Sequence, residues 1–132
     1  MAASHSLFIV DDEVNVARTL QMVFEAEGYK VSTAYSCAEA LGVLKRSRSF
    51  DVVMTDLNME KPDIGLDVAR AAQQLNPKPV VVICTGYASV TNLRSALDMQ
   101  VDYVANKPAD LPELIGAINR LVTLRRRSGA QP

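Results

Sequence analysis

Four short apolar runs in this chain each stop at a polar or charged group. Leu7-Phe8-Ile9-Val10 ends at Asp11-Asp12, Asp51-Val52-Val53-Met54-Thr55 at Asp56, Val80-Val81-Val82-Ile83-Cys84 at Thr85-Gly86, and residues 101–106 at Lys107-Pro108. Runs of this length, rich in β-branched residues and bounded by turn residues, predict strands. A fifth, more polar stretch, Lys30-Val31-Ser32-Thr33-Ala34, predicts a short edge strand. Helical spacing fills the intervals. Val16, Leu20, Val23 and Phe24 mark the first helix, and Cys37, Leu41 and Leu44 the second. Leu66, Ala69, Ala72 and Leu75 mark a third over about 65–76, and Val90, Leu93 and Leu97 a fourth over about 88–99. Leu111, Leu114, Ile115, Ile118, Leu121 and Val122 mark the last. Gly28-Tyr29, Asn76-Pro77-Lys78-Pro79 and Lys107-Pro108 punctuate the pattern as helix stops and loops.

The order is therefore βαβαβαβαβα. Strands separated by helices of about three turns need right-handed crossovers, which make a parallel sheet covered on both faces. The expected fold class is α/β, a doubly wound five-stranded parallel sheet with strand order 2-1-3-4-5. The three most apolar runs become central strands, and Asp11-Asp12 lies beside Asp56 at the switch point. In open sheets of this kind ligands bind at the carboxyl edge, where all four polar endings converge.

Composition narrows the alternatives. With 132 residues the chain is sized for one domain spanning 1–132, with an N-terminal tail at 1–6 and a frayed tail at 126–132. A net charge of −1 gives no general attraction to nucleic acid, and no recognition-helix module follows Leu124. No apolar run approaches the roughly 20 residues of a membrane span. Cys37 and Cys84 lack metal-ligand spacing and read as reduced thiols of a cytoplasmic protein. His5, the one histidine, falls in the tail and reads as a flexible surface residue, so no histidine-based triad can be built. Arg125-Arg126-Arg127 complements the dipole of the last helix rather than forming a phosphate-binding arm.

The convergent residues define a chemistry. Close-set carboxylates raise one another's pKa unless a hard cation binds them, and Mg2+ takes one or two protein carboxylates together with a phosphoryl oxygen. Asp12 and Asp56 suit that task, Asp11 acts directly or through water, and the backbone carbonyl of Asn58 can complete the set. Asp56 can then attack a phosphoryl group as a nucleophile, Lys107 can pair with the carboxylate and later with a phosphoryl oxygen, and Thr85 can donate its hydroxyl to another. Gly86 leaves room for the incoming group. Taken singly, Asp12 could cap the first helix, Asp56 a turn, and Lys107 could be a solvated loop residue. Their convergence at one edge favours the joint reading.

On these residues the chain resembles the receiver domain of bacterial two-component response regulators over essentially its whole length. Ile9-Val10-Asp11-Asp12-Glu13 is similar to that family's acidic pair and Thr55-Asp56-Leu57-Asn58-Met59 to its phosphoacceptor segment. Thr85-Gly86-Tyr87-Ala88 is similar to its switch hydroxyl segment, and Lys107-Pro108 to its lysine-proline pair. The resemblance implies a flavodoxin-like (βα)5 fold, phosphorylation of Asp56 by a sensor histidine kinase or phosphotransfer protein, a requirement for Mg2+, and a cis Lys107–Pro108 peptide. It implies a signalling protein rather than an enzyme, acting through contacts with a further protein, with a homodimer possible. The rivals are a receiver-shaped module that is never phosphorylated, opposed by the intact Asp12, Asp56, Thr85 and Lys107 set, and an aspartyl-phosphate phosphatase, opposed by the lack of a substrate cap.

Two features depart from the family pattern, and a third bears on phosphate lifetime. The loop Glu60-Lys61-Pro62-Asp63-Ile64-Gly65 is one residue longer than the usual proline-glycine turn. Val104 stands three positions before the lysine, where the family carries an aromatic side chain, and Tyr103 should point to the opposite face. An aromatic rotation is thus expected to be absent, leaving Thr85 and the segment 86–88 to carry any switch. Tyr87 is expected to flank the phosphoryl group and slow its hydrolysis.

Overall fold

In the computed structural model, described for residues 5–46, 49–59, 61–62, 64–86 and 90–129, five strands and five helices alternate along the described residues. Of helix residues 90–92 and 126–129 only the backbone is described. The elements are β1 (Ser6–Val10), α1 (Val14–Ala26), β2 (Lys30–Ala34), α2 (Cys37–Arg46), β3 (Val52–Thr55), α3 (Gly65–Gln73), β4 (Val80–Thr85), α4 (Val90–Asp98), β5 (Tyr103–Asn106) and α5 (Leu111–Gly129). All pairings are parallel and the strand order is 2-1-3-4-5, as the hydrophobic pattern implied. No helix among the described residues is long and apolar enough to cross a membrane.

Strand periodicity of two sorts the core into two faces. Leu7, Ile9, Val52, Met54, Val82 and Cys84 point to one, where α1 and α5 bring Ala17, Leu20, Phe24, Leu114 and Ile118. Phe8, Val10, Val53 and Val81 point to the other, covered by Cys37, Ala40 and Leu44 of α2 and Val68, Ala69 and Ala72 of α3. A smaller cluster of Leu57, Leu66, Ile83 and Ala96, with Val104 against it, lies under α4. Full burial of side chains such as Phe8, Ile9 and Phe24 stabilises the fold by about 1.5–3 kcal/mol each. β3 and β4 are buried at every position, whereas β2 alternates between exposed and half-buried residues before Ala34, as an edge strand does.

The turn after α1 shows how local sequence aims the chain. Gly28 adopts φ +97°, the left-handed conformation that glycine reaches without a Cβ clash. Its N–H donates to Glu25 O and that of Tyr29 to Phe24 O, each at 3.0 Å, a Schellman closure of the helix. The accompanying apolar contact is the T-shaped pair Phe24–Tyr29, with centroids 5.4 Å apart.

Some boundaries and placements differ from the expectations. β1 begins at Ser6, so the tail is shorter than 1–6, and His5 is half-buried, 5.9 Å from the Tyr29 ring and 3.7 Å from an Asp51 carboxylate oxygen. The Lys30 N–H donates to the His5 carbonyl, which extends the sheet one residue beyond the apolar run. The α5 backbone is helical to Gly129, into the segment expected to fray, and α3 stops at Gln73, short of Asn76. The last helix is held by Arg125, which reaches the Lys78 and Pro79 carbonyls at 2.9 and 2.8 Å and Asp102 at 2.8 Å. Arg125 is thus an anchor to the amino edge of the sheet, a role beyond dipole compensation.

Candidate functional site

Sheet hydrogen bonding carries the site residues past the ends of their strands. Asp11 N–H donates to Ala34 O at 3.1 Å, Asp56 N–H to Val10 O at 2.9 Å, and Lys107 N–H to Thr85 O at 2.8 Å. Each therefore leaves the carboxyl edge from a backbone already fixed by its neighbour. Both the Lys107–Pro108 and Asn76–Pro77 peptides are cis.

The Lys107 ammonium is the hub. Its Nζ lies 2.6 Å from Asp11 Oδ2, 3.2 Å from Asp56 Oδ2 and 3.5 Å from Glu13 Oε1. Asp11 and Asp56 are buried and Asp12 is exposed, yet one oxygen from each of the three lies within 4.8 Å of the others. Asp11 is engaged on both oxygens, because its Oδ1 also accepts the Glu13 N–H at 2.9 Å. Asp56 Oδ1 accepts the Asn58 N–H at 3.4 Å, and the fully buried Thr55 hydroxyl donates to Asp56 O at 2.9 Å. Thr85 is buried at the end of β4, its carbonyl holding Lys107. The sequence-predicted residues Asp11, Asp12, Asp56, Asn58, Thr85 and Lys107 thus share one edge of the sheet.

The electrostatics favour a bound cation. Burial raises the Asp56 pKa, and the Asp11 charge adds to the rise, against the opposing pull of Lys107. For Asp12, partial desolvation followed by the Asp11 charge acts in the same direction. Burial alone would lower the Lys107 pKa, but its bond to Asp11 and the charges of Asp56 and Asp11 outweigh that and hold it above the ordinary lysine range. Four carboxylates, counting Glu13, face a single ammonium among the described residues. An oxygen-rich, net-negative cluster of this kind fits a hard divalent cation such as Mg2+.

Alternatives weighed singly from sequence fare differently. The N-cap of α1 is Glu13, which makes no side-chain capping bond, so Asp12 is not that cap. Lys107 is largely buried rather than solvated, with a side-chain exposure of 16%. Glu13 was missed as a partner of Lys107; its place directly after the acidic pair was the available signal. Gly65 was also missed. A Cβ there would overlap the Asp56 carbonyl oxygen and the Leu57 Cα, and its N–H donates to Leu57 O at 2.8 Å. Tyr87, Ala88, Glu60, Asp63 and the side chains of Arg126 and Arg127 lie outside the described residues. A largely apolar groove of about 590 Å3 opens beside Lys107, between Val16 and Leu20 of α1 and Pro108 and Leu111, with Cys84 in its wall.

Residues 7–119 match the response regulator receiver domain. The chain belongs to this family, the receiver domains of two-component response regulators. It is 32% identical over 126 residues to the transcriptional regulatory protein ZraR of Salmonella typhimurium, covering 95% of this chain and 28% of that protein. It is 31% identical over 126 residues to the response regulator SaeR of Staphylococcus aureus, covering 96% of this chain and 54% of that protein. The chain therefore spans between about a quarter and a half of these relatives. Among solved structures, a CheY-like receiver domain protein from Methanospirillum hungatei superposes with a TM-score of 0.88 at 24% identity, over 96% of this chain and 99% of that one. A receiver domain protein from Clostridium thermocellum gives 0.81 at 28% identity, over 92% and 97%.

Proposed function

We propose that this domain accepts a phosphoryl group on Asp56 from a sensor histidine kinase or phosphotransfer protein, in a Mg2+-dependent reaction, and signals through altered contacts with another protein. The observation that carries this reading is the Asp56 carboxylate, buried at the carboxyl edge, with Lys107 Nζ at 3.2 Å and the Asp11 and Asp12 oxygens within 4.8 Å. Both donors act in the cytoplasm, which is the compartment we propose.

Asp56 is the nucleophile: one carboxylate oxygen attacks phosphorus, the phosphorus–nitrogen bond of the donor breaks, and the imidazole leaves with that electron pair. Asp12 and Asp56 would hold the Mg2+ together with the Asn58 carbonyl. Asp11, whose two oxygens are already occupied, would reach it through water. The cation supplies charge neutralisation for the anionic donor. Lys107 steadies the carboxylate before transfer and can follow a phosphoryl oxygen afterward without changing its protonation. The Thr85 hydroxyl is the donor for another oxygen. The apolar groove between α1 and the Lys107–Leu111 segment supports an approach by a helical partner on this side.

Incubation with Mg2+ and a small acyl phosphate, read by intact mass, tests the proposal. A single hydroxylamine-labile phosphate on the wild type and none on Asp56→Asn is expected, because an amide does not serve as the acyl nucleophile. Turnover of the donor with no accumulating adduct would favour a phosphatase, and neither adduct nor turnover would favour a passive interaction module.

A further inference from the structure

The reaction proposed above uses Asp56 through its carboxylate, but the backbone around that residue carries a second arrangement. Thr55 is completely buried, at the last position of β3, on the face covered by α2 and α3. A hydroxyl in such a place is costly unless it is bonded. The Thr55 side chain donates to the carbonyl of the next residue, Asp56, at 2.9 Å. Gly65, the first residue of α3, also stands so close to the same carbonyl that any Cβ would overlap it and crowd the Leu57 Cα. The Gly65 N–H then donates to the next carbonyl along, Leu57 O, at 2.8 Å. The Asp56 N–H is already spent on Val10 O at 2.9 Å.

We infer that Thr55 of β3 and Gly65 of α3 are positioning residues which together clamp the Asp56–Leu57 peptide, and so set the aim of the phosphoacceptor carboxylate and the Asn58 backbone. The inference rests on Asp56 being the acceptor. With both peptides held, Asn58 is delivered where its N–H meets Asp56 Oδ1 at 3.4 Å, and its own carbonyl would be the backbone group that completes a cation site. The clamp combines a hydroxyl with the lack of a side chain. Neither group touches the reacting atoms.

This assigns a distinct signature to an isosteric change. Thr55→Val keeps the volume and removes the hydroxyl, whereas Thr55→Ser keeps the hydroxyl and removes a methyl. Loss of one neutral hydrogen bond corresponds to a factor on the order of five. We expect Thr55→Val to raise the Mg2+ dissociation constant about fivefold, measured calorimetrically, and to slow phosphorylation at saturating Mg2+. In metal-free protein the amides of Asn58 and Gly65 should exchange faster by a similar factor relative to those of Val53 and Val81, a change that a uniform loss of stability would not produce. Thr55→Ser should restore all three. Gly65→Ala, where it folds, should reproduce the Thr55→Val pattern more strongly.

Wild-type Mg2+ affinity and relative exchange in Thr55→Val would overturn the clamp, and so would equal defects in the valine and serine variants, which would make packing the cause. If the wild type itself takes no phosphate, the proposed function fails, while the exchange measurement still decides whether Thr55 holds this peptide.

Discussion

Asp12 is the carboxylate of the cluster that gains least from Lys107: the ammonium pairs with Asp11, Asp56 and Glu13, and its pull on Asp12 is the weakest of the influences there. Removing its charge should therefore stabilise the metal-free protein. With oxygens within 4.8 Å, each carboxylate pair repels by about 0.9 kcal/mol in a water-like dielectric and about 3.5 kcal/mol at an effective dielectric of 20. Asp12 is exposed, so the lower figure applies, and the attraction of Lys107 cancels part of two such pairs. Asp12→Asn should gain about 1 kcal/mol in EDTA at pH 7, about 3–5 °C in Tm. Mg2+ at ten times its Kd adds about 1.4 kcal/mol to the wild type and at a hundred times about 2.7. A variant that binds poorly forgoes this, so the order of stability should invert as Mg2+ is added.

The pH dependence has a definite sign. Because burial and the neighbouring charge raise the Asp12 pKa above its ordinary 3.8, the folded state favours the protonated form. Its contribution to stability is fully present below about pH 3.9 and is lost as pH rises through the folded pKa. The advantage of Asp12→Asn should therefore be small near pH 3 and grow toward neutrality. Urea unfolding followed by far-ultraviolet circular dichroism measures all of this, and 1 M NaCl should shrink the metal-free difference, since the Debye length falls to about 3 Å. A variant no more stable than wild type in EDTA, or a difference indifferent to Mg2+, would refute both the repulsion and the assignment of Asp12 to the metal.

Two further outcomes follow from groups away from the carboxylates. Arg125→Met should lower stability by about 1–3 kcal/mol, seen as a reduced urea midpoint at unchanged slope, because it removes the guanidinium from Asp102 Oδ1 and from two carbonyls at the amino edge of the sheet, leaving Asp102 the Val81 N–H on Oδ2; an unchanged midpoint would show that this anchor contributes nothing. Burial pushes the Cys84 thiol up to about 11, so the native protein should resist alkylation of Cys84 at pH 8 and react there only on unfolding. Since its folded pKa is raised, the thiol's contribution to stability is intact below about pH 9 and declines toward pH 11, and rapid native alkylation would contradict the burial.

The sheet and its order were legible because β1, β3 and β4 are apolar on both faces, which separates central strands from an edge such as β2. The meeting of Asp11, Asp12, Asp56 and Lys107 was legible for a related reason: a parallel sheet sends every strand's end to one edge. What escaped notice depends on side chains far apart in sequence. Arg125 finds carbonyls 46 and 47 residues away, and Ser6 pairs with Asp51 through its N–H at 2.8 Å; no periodicity marks either contact. Gly65 was placed only as the boundary between a loop and the third helix, because its need for closeness lies in the Asp56 carbonyl it abuts, not in its own backbone angles.

Residues 103 and 104 show how a strand's parity limits the ways a signal can leave the site. Val104 pairs with Ile83 across the β4–β5 ladder and packs with Leu57, Leu66 and Ala96 beneath α4. Tyr103 packs instead against the α1 and α5 face, with its hydroxyl 3.2 Å from Glu113 on α5. Exchanging the two faces would require a one-residue slip that breaks the Val82–Tyr103 and Ile83–Val104 register together. A β-branched valine has few rotamers to exchange, so the group under α4 that can respond to a change at Asp56 is the cluster itself. Leu57 follows Asp56 directly in sequence, and Leu66 follows Gly65, whose backbone closes on Leu57. We therefore expect a displacement of the Asp56–Leu57 peptide to reach α4 through packed Leu57 and Leu66, without an aromatic ring turning, and an Asp56 phosphoryl-mimic structure with Leu57 and Leu66 unmoved would overturn that.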